Sequence, residues 1–484
     1  MDLIKIGLDF GTHQTKICVQ RTPDEGHGEP IYEFFTFSDL VGTKNFFLPS
    51  VVQINNDNTL SYGYVDAKRI KKNGPKPQFE ELEIESDFNI EGLACELFDK
   101  YAPKDYNPED KQILVEMLSV RKKKLKKAEE IKLKNARNQY ESLLKSFNAD
   151  INLLRNFKQA TFIDGEWNKR IPSKIVCVWY LAYVIFLLEE KYGTDFSLNM
   201  GVPADDYSFH TKKIFAMEIL ASAYHLVETV FHNDKNAFLR SSLEDLNEKT
   251  LFINYSPQFE DDYFFINIFP EAYASLIGLT SRGKLSMGMN LTVDVGGGTT
   301  DISFFTIQGN RPDRPVIYKY WSIPQGLNYL AEKSGFNYAK CDFEHQAIDG
   351  IIEEYNNEKL KIVGSLIEKL FKLRKGKNVL KSELNAALRD RIIVYSGGGS
   401  SFEFLNTAIH TFTDIMLIDA DIWKNENIRN KAKVSELRGL LTTAYGLSVC
   451  NEDEEVKIEP LDSLLSHITN SDTQGIQTID KDMC

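Results

Sequence analysis

Three glycine clusters, each following an apolar run, are the residues of this chain best suited to chemistry. The fullest is Leu291-Thr292-Val293-Asp294-Val295-Gly296-Gly297-Gly298-Thr299-Thr300-Asp301-Ile302. Its apolar run predicts a strand that delivers the Asp294 carboxylate to its end, and the three glycines let backbone N–H groups come close to an anion. N–H groups in series form a concavity for phosphate, and a carboxylate beside that phosphate is a natural ligand for Mg2+, directly or through water. Thr299 and Thr300 add hydroxyls, and Asp301 can support the loop by hydrogen bonding. A tight hairpin without a ligand is the alternative for this stretch taken alone. The logic repeats at Gly7-Leu8-Asp9-Phe10-Gly11-Thr12-His13-Gln14-Thr15-Lys16, with a strand-end carboxylate, a glycine, a hydroxyl and a lysine able to reach back across the turn. The third cluster, Ser396-Gly397-Gly398-Gly399-Ser400-Ser401, predicts a strand-to-helix turn, with Phe404, Leu405, Ala408 and Ile409 as the apolar face of the helix. Such a turn lets a nucleotide lie against the backbone. None of the three fits G-x-x-x-x-G-K-[ST] or G-x-G-x-x-G.

The elements that must position these clusters alternate along the chain. Residues 3–8 and 15–20 predict a hairpin, with a further strand at 49–54. A helix at 172–191 precedes a strand at 196–202, and a helix at 208–231 precedes a strand at 262–268. After a helix at 271–279, a second hairpin at 291–307 surrounds the Asp294 turn. Helices over 343–389, a strand at 391–395 and a helix at 434–450 complete the series. Strands alternating with helices predict an α/β architecture, and the recurring strand–Asp–glycine turn–strand unit points to a duplication. Between about 75 and 170 the composition shifts to a charged, mainly helical insertion. A long helix is expected from 108 to 157, with Tyr140, Leu144, Phe147, Ile151 and Leu154 as its apolar stripe.

Composition narrows the function. A length of 484 residues suits about three units or two large lobes. With 57 Lys and Arg against 70 Asp and Glu, the formal charge of −13 argues against wrapping of nucleic acid by the whole molecule. A local basic patch exists at 121–137, where nine Lys/Arg face two acidic residues; it reads as a solvated helix face or as a dock for an acidic partner. No aromatic residue interleaves it, so base stacking is not suggested. The apolar run 175–188 is too short for a bilayer and predicts a buried helix. Six scattered cysteines without a C-x-x-C pair, and an N-terminus without a signal-peptide pattern, lead to the expectation of a reducing, cytoplasmic setting and no membrane.

Taken in order, the clusters at 9, 294 and 397 resemble the two phosphate loops and the adenosine loop of the superfamily of actins, heat-shock protein 70 chaperones and sugar kinases. The resemblance covers most of residues 3–450, and Asp-x-Gly-Gly-Gly-Thr-Thr-Asp is its most specific motif. It implies a two-lobed actin-like ATPase fold, built from duplicated ribonuclease H-like lobes, with Mg-ATP between them. The implied layout is lobe I at 1–285 including the insertion at about 75–170, lobe II at 286–430, a helix at 431–450 returning to lobe I, and a polar acidic tail at 451–484, expected to be disordered. Pro49-Ser50-Val51-Val52, Tyr62-Gly63-Tyr64-Val65-Asp66-Ala67 and Gly201-Val202-Pro203-Ala204 look like the chaperone ATPase domain. Lys16 and the Pro270-Glu271 pair look like those of actins.

The resemblance implies a division of labour. Asp9 and Asp294 would hold Mg2+, Lys16 would serve the phosphates, and Glu271 would orient the attacking water. Gly11, Thr12, His13, Gln14, Gly296, Gly297, Gly298, Thr299, Thr300, Gly397, Gly398, Gly399 and Ser400 would line the ATP or ADP site. The catalytic lysine of the chaperones has no match by motif; Lys68 lies in a suggestive string but too early, and Lys16 is the better candidate. Ser401 stands where the chaperones commonly carry an arginine, and the 34 residues after Cys450 do not suffice for a peptide-binding domain with lid. The expectation is therefore a slow, chaperone-like ATPase whose closure regulates a separate protein partner or co-chaperone. A filament-forming bacterial-actin-like ATPase, which would self-assemble, and a small-molecule kinase are the alternatives.

Overall fold

The computed structural model describes most of the chain between residues 2 and 465. The main segments outside the description are 24–27, 38–45, 72–151, 165–170, 204–208, 254–262, 281–284, 331–348, 419–426, 432–436, 452–455 and 466–484. The basic stretch 121–137 and nearly all of the expected helix 108–157 lie outside it.

The chain is mixed α/β, and two of its sheets share one plan. In the first, β1 (Leu3–Phe10), β2 (Gln14–Thr22), β3 (Ile31–Phe34), β8 (Ser197–Val202) and β9 (Ile266–Pro270) lie in the order β3-β2-β1-β8-β9, and the short β4 (Leu48–Pro49) pairs with β2. The second places β10 (Gly288–Val295), β11 (Thr300–Gln308), β12 (Arg311–Ile323), β13 (Arg391–Ser396) and β14 (Phe412–Leu417) in the order β12-β11-β10-β13-β14. In both, the first three strands form an antiparallel meander and the last two run parallel to the central one. The central strands are covered on both faces, which is why 3–10 and 288–295 read as nearly continuous apolar runs. A third, small sheet joins β5 (Val52–Ile54), β6 (Leu60–Tyr62) and β7 (Leu153–Leu154).

Helix α1 (Ser173–Tyr192) is apolar on every face and is enclosed by the first sheet and α2 (Phe209–His225), as expected for a buried helix. Among the described residues, no helix is long and apolar enough to cross a membrane. Short helices α3 (Lys235–Arg240) and α4 (Leu243–Leu251) follow. Helix α5 (Glu271–Thr280) carries the chain from the first sheet towards the second. On the second sheet α6 (Asp349–Leu373) and α7 (Lys381–Leu388) supply the core. The last helix, α8 (Thr442–Val449), returns to β1, β2 and β8 and crosses α5 at bare backbone. A side chain at Gly446 would strike the carbonyl of Ala274, and one at Gly278 would meet Thr442 O at 2.6 Å. The buried Asn199 of β8 fixes the end of α8 by donating to Leu447 O (2.7 Å) and Cys450 O (2.9 Å).

Three expectations are corrected. Leu154 lies in β7 and not in a helix: Leu153 and Leu154 pair with Gln53 and Val52, and Asn156 in the left-handed region breaks the chain direction. After Gly397–Gly399 no α-helix forms. Two 3-10 turns, Gly398–Ser401 and Glu403–Leu405, stand there, because the Ser400 and Ser401 hydroxyls bond back to Gly397 O (2.8 Å) and Gly398 O (2.7 Å). Part of the expected disordered tail is ordered: Leu461, Leu464 and Leu465 are buried against the second sheet's core, and Glu459 N donates to Ile317 O. The rest of the tail, 466–484, lies outside the described residues.

Candidate functional site

The two hairpins put their carboxylates in equivalent places. In β1–β2 the residue opposite Asp9 is Lys16; in β10–β11 the residue opposite Asp294 is Asp301. Lys16 Nζ reaches Asp9 Oδ2 at 2.8 Å, and Asp9 is 6% exposed. Ser50 holds the first turn, its hydroxyl donating to Gly11 O (2.7 Å) and its N–H to His13 O (2.7 Å). In the second turn Gly296 N donates to Thr299 O, Thr299 Oγ1 donates to Asp301 Oδ2 (3.1 Å), and Thr300 Oγ1 donates to Gln325 O. Ser396, at the end of β13, donates to Asp294 Oδ2 (3.0 Å).

The turns face one another. A methyl group added at Gly297 would overlap the His13 imidazole, and one at Gly298 would lie 2.5 Å from Gln159 Oε1 and 3.0 Å from the Thr12 methyl. The third cluster joins them, since a side chain at Gly397, where φ is +77°, would overlap an oxygen of Asp294. Gly11, Thr12, His13, Gly296, Gly297, Gly298, Thr299 and Gly397 therefore share one neighbourhood. Gln14 is exposed at the start of β2, and Ser400 is turned to Gly397 O.

Glu271 opens α5 directly after Pro270, at the end of β9, and so enters from the side. Its partner is Lys158, a residue that no motif marks. The Lys158 ammonium donates to Glu271 Oε1, is 4% exposed, and lies 5.6 Å from the centre of the Phe10 ring. Phe157 lies tilted against the same ring and against Tyr180, so Phe10 of the first hairpin is the platform that places Lys158. The only local signal is a lone lysine within Phe157-Lys158-Gln159-Ala160-Thr161-Phe162. Lys68, by contrast, is exposed in the turn after β6.

Four of these groups are shifted by burial and by one another's charges. Burial pushes Glu271 up, Lys158 opposes that push, and Asp9 and Asp294 reinforce it. Burial also raises Asp294, with Lys16 and the Ser396 hydroxyl opposing. Asp301 is pushed up to about 7 by burial and by Glu271 and Asp294, against the pull of the Ser322 and Thr299 hydroxyls. Burial alone would lower Lys16, yet Asp9, Asp294 and Glu271 together raise it. A buried set rich in carboxylates gains most from bound positive charge.

Among the described residues no three His, Cys, Asp or Glu side chains gather as an all-protein metal cage. Asp9 and Asp294 face the same turns, and two carboxylates beside a glycine-lined anion cradle are a donor set that fits Mg2+, which keeps several waters and shares phosphate oxygens. Comparison with protein-family models and with curated proteins finds no match.

Proposed function

We propose that the chain is an Mg-ATP-binding, slowly hydrolysing ATPase with the two-lobed actin-like fold, closest in type to the heat-shock protein 70 ATPase domain, and that its closure regulates a separate protein partner. One observation carries the reading: two sheets of identical order turn equivalent Asp-bearing glycine hairpins towards each other, with Glu271 and Lys158 beside them.

Asp9 and Asp294 would hold Mg2+, which supplies charge neutralisation for the phosphates. The N–H groups of Thr12, His13 and Gly297–Thr299 bind phosphate oxygens, those of Gly11 and Gly296 being spent inside their own turns on Asp9 O and Thr299 O. Lys16 leaves Asp9 for the phosphates, and Lys158 turns part of its charge to the transferred group. Glu271, whose ionised form Lys158 favours against its burial, accepts a hydrogen bond from the attacking water and takes its proton. The turn at Gly397–Ser400 receives the nucleoside. Motion of the two hairpins relative to each other is the output passed to the partner.

Two measurements test this. Asp294→Ala is expected to abolish phosphate release, as is removal of Mg2+ by chelation; unchanged turnover in the variant would defeat the metal assignment. Light scattering should stay flat as Mg-ATP is added. A rise with ATP that decays on hydrolysis would instead support a filament-forming actin relative, and release only with an added hydroxyl acceptor would support a kinase.

A further prediction arises from the contact of the turns. Gly297→Ala drives a methyl group into His13 and parts the hairpins by a fraction of an ångström. A displacement of that order should cost about tenfold or more in turnover, with the melting temperature little changed. Wild-type turnover in this variant would show that His13 and Gly297 are not in contact during the reaction.

A further inference from the structure

The second phosphate turn ends on a hydroxyl junction that its glycine motif does not foretell. Thr300 is fully buried, and its hydroxyl donates to Gln325 O at 2.7 Å. A threonine hydroxyl has one proton, so in its 2.6 Å contact with Tyr355 the phenol is the donor. Tyr355 keeps that proton, because burial raises the phenol above its ordinary value. The chain after β12 closes against the same turn: Leu327 N donates to Gly296 O at 3.0 Å. A side chain at Gly326 would strike the carbonyl oxygens of Gly296 and Gly297. Thr300 therefore ties together the glycine turn, the end of β12 and helix α6.

Tyr355 is itself firmly seated. It is buried in the core of the second sheet, and Lys359 lies 4.8 Å from the centre of its ring. Residues four apart share one helix face. On that face Lys359 donates to Leu405 O at 2.9 Å, and its second ring neighbour is Tyr395. Tyr395 directly precedes Ser396, the donor to Asp294. One face of α6 thus meets both the Asp294–Asp301 turn and the strand that ends at Gly397.

We propose that Tyr355 is a positioning residue for the nucleotide reaction: through Thr300, its phenol holds the Asp294–Asp301 turn in the register that attack on the phosphate requires. The role rests on the ATPase reading given above. Tyr355 is not a catalytic residue, because its hydroxyl meets the turn at Thr300 and not at the glycines or Asp294. Thr300 acts as a brace, its hydroxyl being spent on Gln325 and Tyr355. Thr300 is paired with Val295 and Asp301 with Asp294, so a shift at Thr300 reaches both carboxylates. Reaction rates respond steeply to displacements well below an ångström or two.

The test is steady-state phosphate release by the full chain with Mg-ATP, together with the melting temperature. Tyr355→Phe keeps the ring beside Lys359 and removes the hydroxyl alone. It is expected to lower kcat about tenfold and to leave KM for ATP near the wild-type value. A merely structural role would lower the melting temperature and leave kcat unchanged. Thr300→Val should show the same loss of kcat with a lower melting temperature, since the buried phenol then lacks its acceptor. Adding Tyr355→Phe to Thr300→Val should recover part of that melting temperature and cost no further turnover. Should Tyr355→Phe fail to fold, Thr300→Val and the double variant carry the comparison. Wild-type kcat in Tyr355→Phe, or a loss in the double variant equal to the product of the single losses, overturns the proposal while the ATPase reading stands. No phosphate release by the wild type overturns the ATPase reading, and the role of Tyr355 falls with it.

Discussion

Lys158→Met is expected to lower single-turnover phosphate release by a factor of about 10² to 10³, the usual loss when one preorganised electrostatic group is removed from a reacting centre. Affinity for ATP should fall far less, because the glycine turns and Lys16 remain. The variant leaves Glu271 in a buried set with Asp9 and Asp294 and without its own ion-pair partner, since Lys16, the remaining ammonium, is paired with Asp9, and breaking a buried pair costs about 3–5 kcal/mol. Stability and catalysis can be told apart by a second change. Glu271→Gln added to Lys158→Met should restore most of the lost melting temperature and none of the activity. The pH dependence has a definite sign: burial already raises Glu271, and loss of the opposing Lys158 raises it further. Whatever turnover remains must therefore fall away at a higher pH on the acid side than it does in the wild type. Wild-type turnover in Lys158→Met would remove this residue from the reaction.

Lys158 also marks the limit of what the chain discloses by pattern. Asp9 and Asp294 are legible because each depends on a local arrangement: an apolar strand, a carboxylate at its end and a glycine turn. The equal strand orders were foreshadowed by the repeat of that unit, though nothing local dictates that Asp9 faces a lysine and Asp294 an aspartate. Lys158 depends on no such pattern. It is placed by rings far away in sequence, Phe10 and Tyr180, and by left-handed Asn156 just before it. Leu154 failed for a related reason, since an i, i+3, i+4 stripe does not reveal that a partner strand at Val52 will claim the segment. The turn after Gly399 shows the opposite failure: local serine hydroxyls override an apolar pattern that suited a helix. In the tail, average acidity hid Leu461, Leu464 and Leu465, a short stripe sufficient to join the second core.

The second large effect concerns a buried charge that the proposed reaction does not use. Lys359 of α6 is 0% exposed, its ammonium donates to Leu405 O at 2.9 Å, and the rings of Tyr355 and Tyr395 lie 4.8 and 5.2 Å from it. Burial pulls its pKa from 10.5 down to about 7, with no carboxylate among the described residues to oppose it. Below pH 7 both the folded and the unfolded chain carry the charge, and the folded state bears the full cost of enclosing it. Between pH 7 and about 10 the folded chain sheds the proton while the unfolded chain keeps it, so this contribution to stability improves as pH rises. Lys359→Met removes the cost together with the carbonyl bond and the ring contacts, each worth about 1 kcal/mol. The variant should then be more stable than the wild type by about 2 kcal/mol at pH 6, with the advantage shrinking steadily and gone by about pH 9. Chemical denaturation of both proteins from pH 6 to pH 9 reads this directly. A difference that does not change with pH would mean that Lys359 keeps its charge throughout, held by the two tyrosine rings and Leu405. In that case α6 would be fastened to the turn after Gly397–Gly399 by a permanent cation, and Lys359→Met should loosen that turn and weaken ATP binding while leaving Asp294 and Glu271 in place.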